Sequence, residues 1–458
     1  MKLDFISTSP HNTRLILIFT GWSTGPEVAR DIRMDGWDVA VAHDFSSLTL
    51  DTSFLDRYYT VYLFAWSLGV FAASRLLPTE RITAAFAING TTDPVDDDLG
   101  IPVDIFKGTL ESLDSRNLMK FRMRMAGGRR EFAALSYIFD GSEPDVTGLK
   151  SQLGTVLNES SKHMGNTDSA LPWVRAFVSQ NDLIFPPANM LRAWQRDPEV
   201  EVVELDSPHY VSLERIIRSV ISDPAKVSAR FNKASVSYDT HAIAQYSAAI
   251  KLAGMLADRK PPVGGRILEI GCGTGLFTHE YAPLLRPDEA TFVDIATTGP
   301  FGIAPTEEYV VMDAELWLAS QQRQWDVILS ASAIQWFADI PRFLHECHEH
   351  LADGGLIAIS TFVPGNMEEL DSLRPSPLIY PKAERLREWL ERDFDDVEVV
   401  EDEIRVEFRS VRDMLMHLKH TGVGGSAPVT GLSISDMSHL RSLTYRPVYL
   451  LARKHPLL

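Results

Sequence analysis

Along the chain, apolar and polar positions form two successive alternations of short strand-like runs and helical patterns. Through residue 222 the strand-like runs are residues 15–20, 39–42, 61–66, 82–88, 174–179 and 200–205. Helical periodicity between several of them gives the β/α alternation of a mostly parallel sheet. A second alternation starts at residues 266–270 and continues through 290–293, 327–330, 356–361, 397–400 and 448–452. The first one closes with an amphipathic helix after His209, followed by Ser222-Asp223-Pro224. A boundary near residue 223 follows, predicting one domain over 1–222 and another over 223–458. A length of 458 residues suits two α/β domains better than one core.

The stretch 58–74 carries no charge. It falls short of the ~20 apolar residues a spanning helix needs, and its β-branched and aromatic residues give way at Ser67 and Gly69 to a helical pattern. It therefore reads as a buried strand, a tight turn and a helix. The first residues show no apolar segment with a small-residue cleavage site. Cys272 and Cys347 are the only cysteines, too few for a disulfide framework, so the cytoplasm is the expected compartment. A net charge of −18 argues against nucleic acid as a partner. The acidity is shared, −8 (21 basic, 29 acidic) through residue 222 and −10 (23 basic, 33 acidic) after it, so neither part is a charged tail.

In the first half, Ala65-Trp66-Ser67-Leu68-Gly69 has the form of a nucleophile elbow, with small residues two before and two after a serine at a strand-to-helix turn. Such a turn can also carry an unreactive serine. A serine nucleophile needs a base, and the base needs an orienting carboxylate. In the order serine, acid, histidine, Asp182 follows the run 174–179 and His209 follows 200–205, which places both at the strand ends where Ser67 stands. Asp206 is the rival acid; Asp182 is favoured because it follows a different strand and can reach the imidazole from the far side. Oxyanion donors are expected from the backbone N–H of Leu68 and of Trp22, whose ring could equally serve as an apolar lid.

The second half carries Glu269-Ile270-Gly271-Cys272-Gly273-Thr274-Gly275 directly after a strand. Glycines 271, 273 and 275 let the backbone pass close to a ligand. A dinucleotide loop, G-x-G-x-x-G, would need glycine where Leu276 stands. Asp294 ends the next strand at the spacing for gripping ribose hydroxyls, and Asp313 and Ala314 stand where a third loop could meet an adenine. The run 345–350 has three histidines, the first two spaced H-E-x-H rather than the H-E-x-x-H that puts a zinc pair on one helix face, so no metal site is expected. His43-Asp44 has no companion ligands, and Cys272 reads as filling a turn.

Phe19-Thr20-Gly21-Trp22, the 65–70 elbow, the segment 181–189 and Ser207-Pro208-His209 together resemble the α/β-hydrolases, and more narrowly the pimeloyl-[acyl-carrier protein] methyl ester esterases of the BioG type. Tyr238-Asp239-Thr240-His241-Ala242, the glycine loop, Ala333-Ile334-Gln335-Trp336, the segment 360–365 and Lys419-His420-Thr421-Gly422-Val423 resemble the class I methyltransferases, and more narrowly the malonyl-[acyl-carrier protein] O-methyltransferases of the BioC type. The resemblance implies an N-terminal α/β-hydrolase with a helical cap, and a C-terminal class I (Rossmann-like) domain with an antiparallel hairpin at its sheet edge. The donor implied is S-adenosyl-L-methionine, with Tyr238 on a helix closing over it, or packing as an ordinary aromatic residue. The partner implied is an acyl-carrier protein, and the implied process is formation of the pimeloyl moiety of biotin.

An acidic carrier approaching an acidic chain needs a local basic patch. Arg116, Lys120, Arg122, Arg124, Arg129 and Arg130 occur within fifteen residues without an acidic one, in the expected cap. They read as a docking face, or as a solvated helix. Phe106, Leu110, Leu113, Leu118, Phe121, Phe132 and Leu135 could line an acyl tunnel or simply pack the cap. Two other functions stay open on the sequence: a hydrolase and methyltransferase pair acting on an unrelated small carboxylate, and a hydrolase domain with a dead site serving as an interaction module.

Overall fold

The computed structural model describes residues 1–139, 145–162, 171–370, 378–421 and 440–455. Gly422 and Val423 of the sequence motifs lie outside the described residues. The chain divides into two compact units, Met1–Arg218 and Ser219–Leu458.

The first unit is built on seven strands: β1 (Lys2–Ser7), β2 (Arg14–Phe19), β3 (Trp37–His43), β4 (Thr60–Trp66), β5 (Ala84–Ile88), β6 (Trp173–Ser179) and β7 (Glu201–Leu205). They lie in the order β1-β3-β2-β4-β5-β6-β7. Only β1 runs antiparallel to its neighbour. Every residue of β2 is buried, because helices cover both faces of a parallel sheet; hence its continuous apolar run rather than an alternation. β1 escaped the pattern because it is a half-exposed edge strand whose Lys2 and Asp4 keep that edge charged. Four helices, Val103–Glu111, Ser115–Ala126, Arg129–Ala134 and Val146–Lys162, are inserted between β5 and β6 as a cap. The sheet order with this cap is that of an α/β-hydrolase. The uncharged stretch 58–74 forms β4, the turn at Ser67 and the helix Leu68–Leu76. No helix of the described residues is long and apolar enough to cross a membrane.

The second unit contains β8 (Arg266–Ile270), β9 (Glu289–Asp294), β10 (Thr306–Val311), β11 (Trp325–Ala331), β12 (Leu351–Phe362), β13 (Asp395–Glu401), β14 (Ile404–Glu407), β15 (Ser442–Tyr445) and β16 (Pro447–Arg453). Its main sheet has the order β10-β9-β8-β11-β12-β16-β13, with β14 and β15 in a separate ladder. β16 runs antiparallel between β12 and β13. This is the class I methyltransferase order. β10, not anticipated, reads Thr-Glu-Glu-Tyr-Val-Val and sits at the sheet edge against β9 alone, where two acids are tolerated.

In both sheets the strand order reverses direction beside the first parallel strand, at β2/β4 in the first and β8/β11 in the second. Crevices open at the carboxyl ends of strands at such switch points. Ser67 lies at one and the glycine loop at the other.

Candidate functional site

Ser67 adopts φ 58°, ψ −128° between β4 and the helix that follows. A non-glycine residue held there costs of order 1–3 kcal/mol. The turn exists only because its neighbours lack side chains: a Cβ on Gly69 would stand 2.4 Å from the Phe19 carbonyl oxygen, and one on Gly90 would stand 2.2 Å from that of Ser67. The Ser67 N–H donates to Ile88 O at 2.9 Å. Ser67 Oγ lies 3.0 Å from His209 Nε2, and His209 Nδ1 lies 2.7 Å from Asp182 Oδ2. A carboxylate only accepts, so Nδ1 carries the proton and Nε2 is left to accept from the serine hydroxyl. All three side chains are at least nine-tenths buried.

The surroundings fix each partner. Asp182 Oδ1 accepts from the N–H groups of Ile184 and Phe185, at 2.7 and 3.0 Å. Phe185 lies parallel to the His209 ring. The His209 carbonyl accepts from Asn89 Nδ2 and Trp66 Nε1, at 2.7 and 3.1 Å. Asn89 also pairs with Ser179 through both ends of its amide. Trp66 and Phe185 lie in motifs read from the sequence but without these roles, and Asn89 was not singled out; the Asn-Gly pair at 89–90 is a turn signal, but nothing local announces where the Asn89 side chain goes. The rival Asp206 accepts from Asn181 Nδ2 instead.

The loop after β2 lies against the serine: a Cβ on Gly21 would come 3.1 Å from Ser67 Cβ. Trp22 is buried, packs edge-on against Phe121 of the cap, and donates from its indole to Leu149 O at 3.0 Å. Its ring is therefore a strut to the cap, while its backbone N–H, like that of Leu68, is the group proposed for the oxyanion. Phe106, Leu113 and Leu118 are buried in the unit's hydrophobic core; of the seven candidates, Phe121 is the one in ring contact with the Trp22 strut.

Of the six basic residues, Arg116, Lys120, Arg124, Arg129 and Arg130 are exposed. Arg122 differs. Its guanidinium is half-buried, lies 4.2 Å above the Phe139 ring and donates to Ser23 O at 3.3 Å. Arg122, expected on the docking face with the others, is turned by its helical position onto the loop that carries Trp22.

In the second unit a cavity of about 450 Å³ lies over the carboxyl ends of β8, β9 and β11, a size typical of small-ligand sites. Tyr238, Glu269, Gly271, Gly273, Asp294, Asp313 and Ala314 all line it. Gly275 is not in its wall but starts the helix Leu276–Leu285. The three glycines serve different ends. A Cβ on Gly271 would stand 2.2 Å from Ala333 Cβ, and one on Gly275 would stand 2.6 Å from the Phe301 ring. A Cβ on Gly273, at φ +53°, would meet nothing within 4 Å. Gly273 faces open cavity, so there the missing side chain leaves room for a ligand.

Asp294 accepts from Gly273 N at 2.8 Å and from Ala296 N at 2.7 Å, which shapes the loop and leaves lone pairs for hydroxyl donors. Burial raises its pKa. Glu269 Oε2 accepts from the Thr278 and Tyr281 hydroxyls, both at 2.7 Å, clamping the helix Leu276–Leu285 to β8. Burial pushes its pKa up to about 7. Asp313 Oδ1 caps the helix Ala314–Leu318 through Glu315 N at 3.0 Å. The helix Pro224–His241 closes the cavity, held by Ser228 Oγ donating to Ile295 O, Thr297 N donating to Asn232 Oδ1, and Thr274 Oγ1 donating to Asp239 Oδ1. Its Tyr238 meets Phe231, which in turn meets Trp336, edge to face. Gln245, absent from the sequence expectations, also lines the cavity.

No group of three or more metal-ligating side chains occurs among the described residues. His345 pairs with Asp393, and His43 pairs with Asp4 while Lys2 holds Asp44. Burial pushes the Cys272 thiol well above its ordinary pKa, as befits a turn filler.

The family profile described as pimeloyl-ACP methyl esterase BioG matches residues 1–217, and one described as a methyltransferase domain matches 238–398. A crystal structure of selenomethionine BioG from Haemophilus influenzae is 33% identical, covering 46% of this chain and 94% of that one, with a TM-score of 0.41. The malonyl-[acyl-carrier protein] O-methyltransferase of Porphyromonas gingivalis is 30% identical over 50% of this chain and 96% of its own length. The protein of that name from Bacteroides fragilis is 31% identical over 97% of this chain and 94% of its own. Similar to that relative along nearly its whole length, and with a glycine-loop cavity at the switch point of its second sheet, the chain belongs to the malonyl-[acyl-carrier protein] O-methyltransferase family, its methyl donor being S-adenosyl-L-methionine.

Proposed function

We propose that this chain is a bifunctional enzyme of biotin synthesis. Residues 223–458 methylate the free carboxylate of malonyl-[acyl-carrier protein], and residues 1–222 hydrolyse the methyl ester of pimeloyl-[acyl-carrier protein]. The observation that carries the reading is the buried Ser67–His209–Asp182 arrangement, oriented at every member, in the same chain as a glycine-loop cavity.

In the second unit the acceptor carboxylate is already ionised at neutral pH and is itself the nucleophile, so no general base is required. The donor supplies an electrophilic methyl group on a sulfonium. Asp294 would hold the ribose hydroxyls and the Asp313–Ala314 turn would face the adenine. Gly273 leaves room for close approach, and Tyr238, Phe231 and Trp336 wall out water. Methylation removes a charge whose burial in an apolar chain-elongation site would be costly.

In the first unit His209 takes the Ser67 proton as Oγ attacks the ester carbonyl. The N–H groups of Leu68 and Trp22 would hold the developing oxyanion, and the proton passes to the departing methanol. Water, activated by the same imidazole, then releases the free acid. The exposed Arg116, Lys120, Arg124, Arg129 and Arg130 are the docking face for the acidic carrier.

The test is intact-mass spectrometry of malonyl-carrier protein incubated with the donor and this chain. A gain of one methylene mass on the carrier-linked acid, and none on free malonate, supports the reading. Equal methylation of both, or of neither, refutes it.

A further inference from the structure

Gln245 is 4% exposed and lines the cavity, yet neither its Nε2 nor its Oε1 has a hydrogen-bond partner among the described residues. A buried amide with both ends unpaired is rare in a folded protein, because each end gives up water for nothing. Its place in the fold says which part of a ligand it would meet. The cavity loops follow the sheet: Asp313 after β10, Asp294 after β9, Gly271 and Gly273 after β8, then Ser332 and Ala333 after β11. A donor with its ribose at Asp294 and its adenine toward β10 must extend its far end past β8 toward β11.

Gln245 belongs to the helix Ile243–Asp258, which packs against the helix Leu276–Leu285 and, on that side, against β11, β12, β14 and β16. Its neighbour Ala244 joins the cluster of Phe362, Met414 and Tyr445. Ala248 and Ala249 join that of Cys272 and Leu329. Gln245 therefore stands at the end of the cavity away from Asp313.

The structure assigns Gln245 to the amino-acid end of the methyl donor, with Nε2–H donating to the α-carboxylate and Oε1 accepting from the α-ammonium. The amide carries one donor face and one acceptor face, matching a zwitterion. A malonyl carboxylate would use only Nε2 and would set its own oxygens against Oε1. The charge of the wall agrees. Beside Glu269, its side chains include Asp294, whose oxygens accept from Gly273 N and Ala296 N, and the helix-capping Asp313 with Glu315, and, among the described residues, no lysine or arginine. Such a wall favours a sulfonium, whereas a cationic side chain placed to read the carboxylate would repel it. A neutral amide reads the carboxylate without that conflict.

The test uses the full chain with two probes. S-adenosylhomocysteine keeps the amino-acid end, and 5′-methylthioadenosine lacks it. Calorimetry of Gln245→Leu is expected to show S-adenosylhomocysteine weakened at least ~10-fold and methylthioadenosine changed less than about 2-fold. The free Gln245→Leu protein should melt no lower than the parent, since no hydrogen bond within the protein is lost. Unchanged S-adenosylhomocysteine affinity would overturn the assignment, as would equal loss of both probes. A raised KM for malonyl-carrier protein with donor affinity intact would overturn it too, moving the amide to the acceptor.

Discussion

Asp182 and Glu269 are both buried carboxylates, and their surroundings set them to opposite tasks. Asp182 accepts two backbone N–H groups on one oxygen and the imidazole N–H on the other, which fixes its orientation toward His209. Glu269 accepts from two hydroxyls only, and burial lifts its pKa from 4.5 to about 7. In that window the folded state holds a proton that the unfolded chain has released. The contribution of Glu269 to stability is thus greatest at acid pH and is lost as pH rises through about 7. Glu269→Gln keeps an acceptor for the hydroxyls and carries no charge. Its melting temperature should gain on the parent's steadily between about pH 5 and about pH 8; a constant difference would show that the carboxyl does not titrate there. The glycine loop offers a second contrast. Gly271→Ala should destabilise the fold by a few kcal/mol, ~2–3, because its Cβ would collide with Ala333 at a positive φ. Gly273→Ala should cost only about 1 kcal/mol while weakening S-adenosylhomocysteine at least ~10-fold, as read by calorimetry and thermal melting. Equal melting losses in the two variants would contradict the division of roles.

The elements that carry the chemistry were those the sequence made legible. β2, β4 and β8 are buried on both faces and announce themselves as apolar runs, and each is followed by the small residues its turn requires. The edge strands β1 and β10 were missed, because charge and half-exposure at a sheet edge erase the signal. Ser67, Asp182 and His209 could be placed from their positions after strands. Asn89 could not, because it acts on the His209 carbonyl 120 residues away and nothing near it in sequence records that partner; nor could Gln245, whose amide has no hydrogen-bond partner among the described residues. The cap helix Ser115–Ala126 shows the same limit: its four basic residues look alike in sequence, yet the helix turns Arg122 inward. Arg116→Glu with Arg124→Glu should raise KM for a carrier-linked ester at least ~5-fold and leave a small soluble ester unchanged. Arg122→Gln should lower kcat on both esters, since it loosens the loop bearing Trp22. Should Arg122→Gln act on the carrier-linked ester alone, Arg122 belongs with the docking face after all.

One molecule that both adds and removes a methyl group consumes its donor to no purpose unless the esterase ignores the short ester. A pimeloyl group has more methylenes to bury than a malonyl one, each worth up to ~0.8 kcal/mol, and it reaches further from a docked carrier. Methyl pimeloyl-carrier protein should therefore be hydrolysed at least ~10-fold faster than the methyl malonyl form in kcat/KM, with Phe121→Ala narrowing the gap. Equal rates would defeat selection by length. The division into two compact units, each with its own sheet and its own switch-point crevice, makes a stronger demand: the two reactions must be separable by one atom. The decisive measurement is intact-mass spectrometry of the two carrier substrates with the Ser67→Ala chain beside the parent. The account predicts that Ser67→Ala still adds a methylene mass to malonyl-carrier protein at the parent rate but leaves methyl pimeloyl-carrier protein untouched, while the parent converts both. Cleavage of the methyl pimeloyl ester by Ser67→Ala at near the parent rate would contradict it.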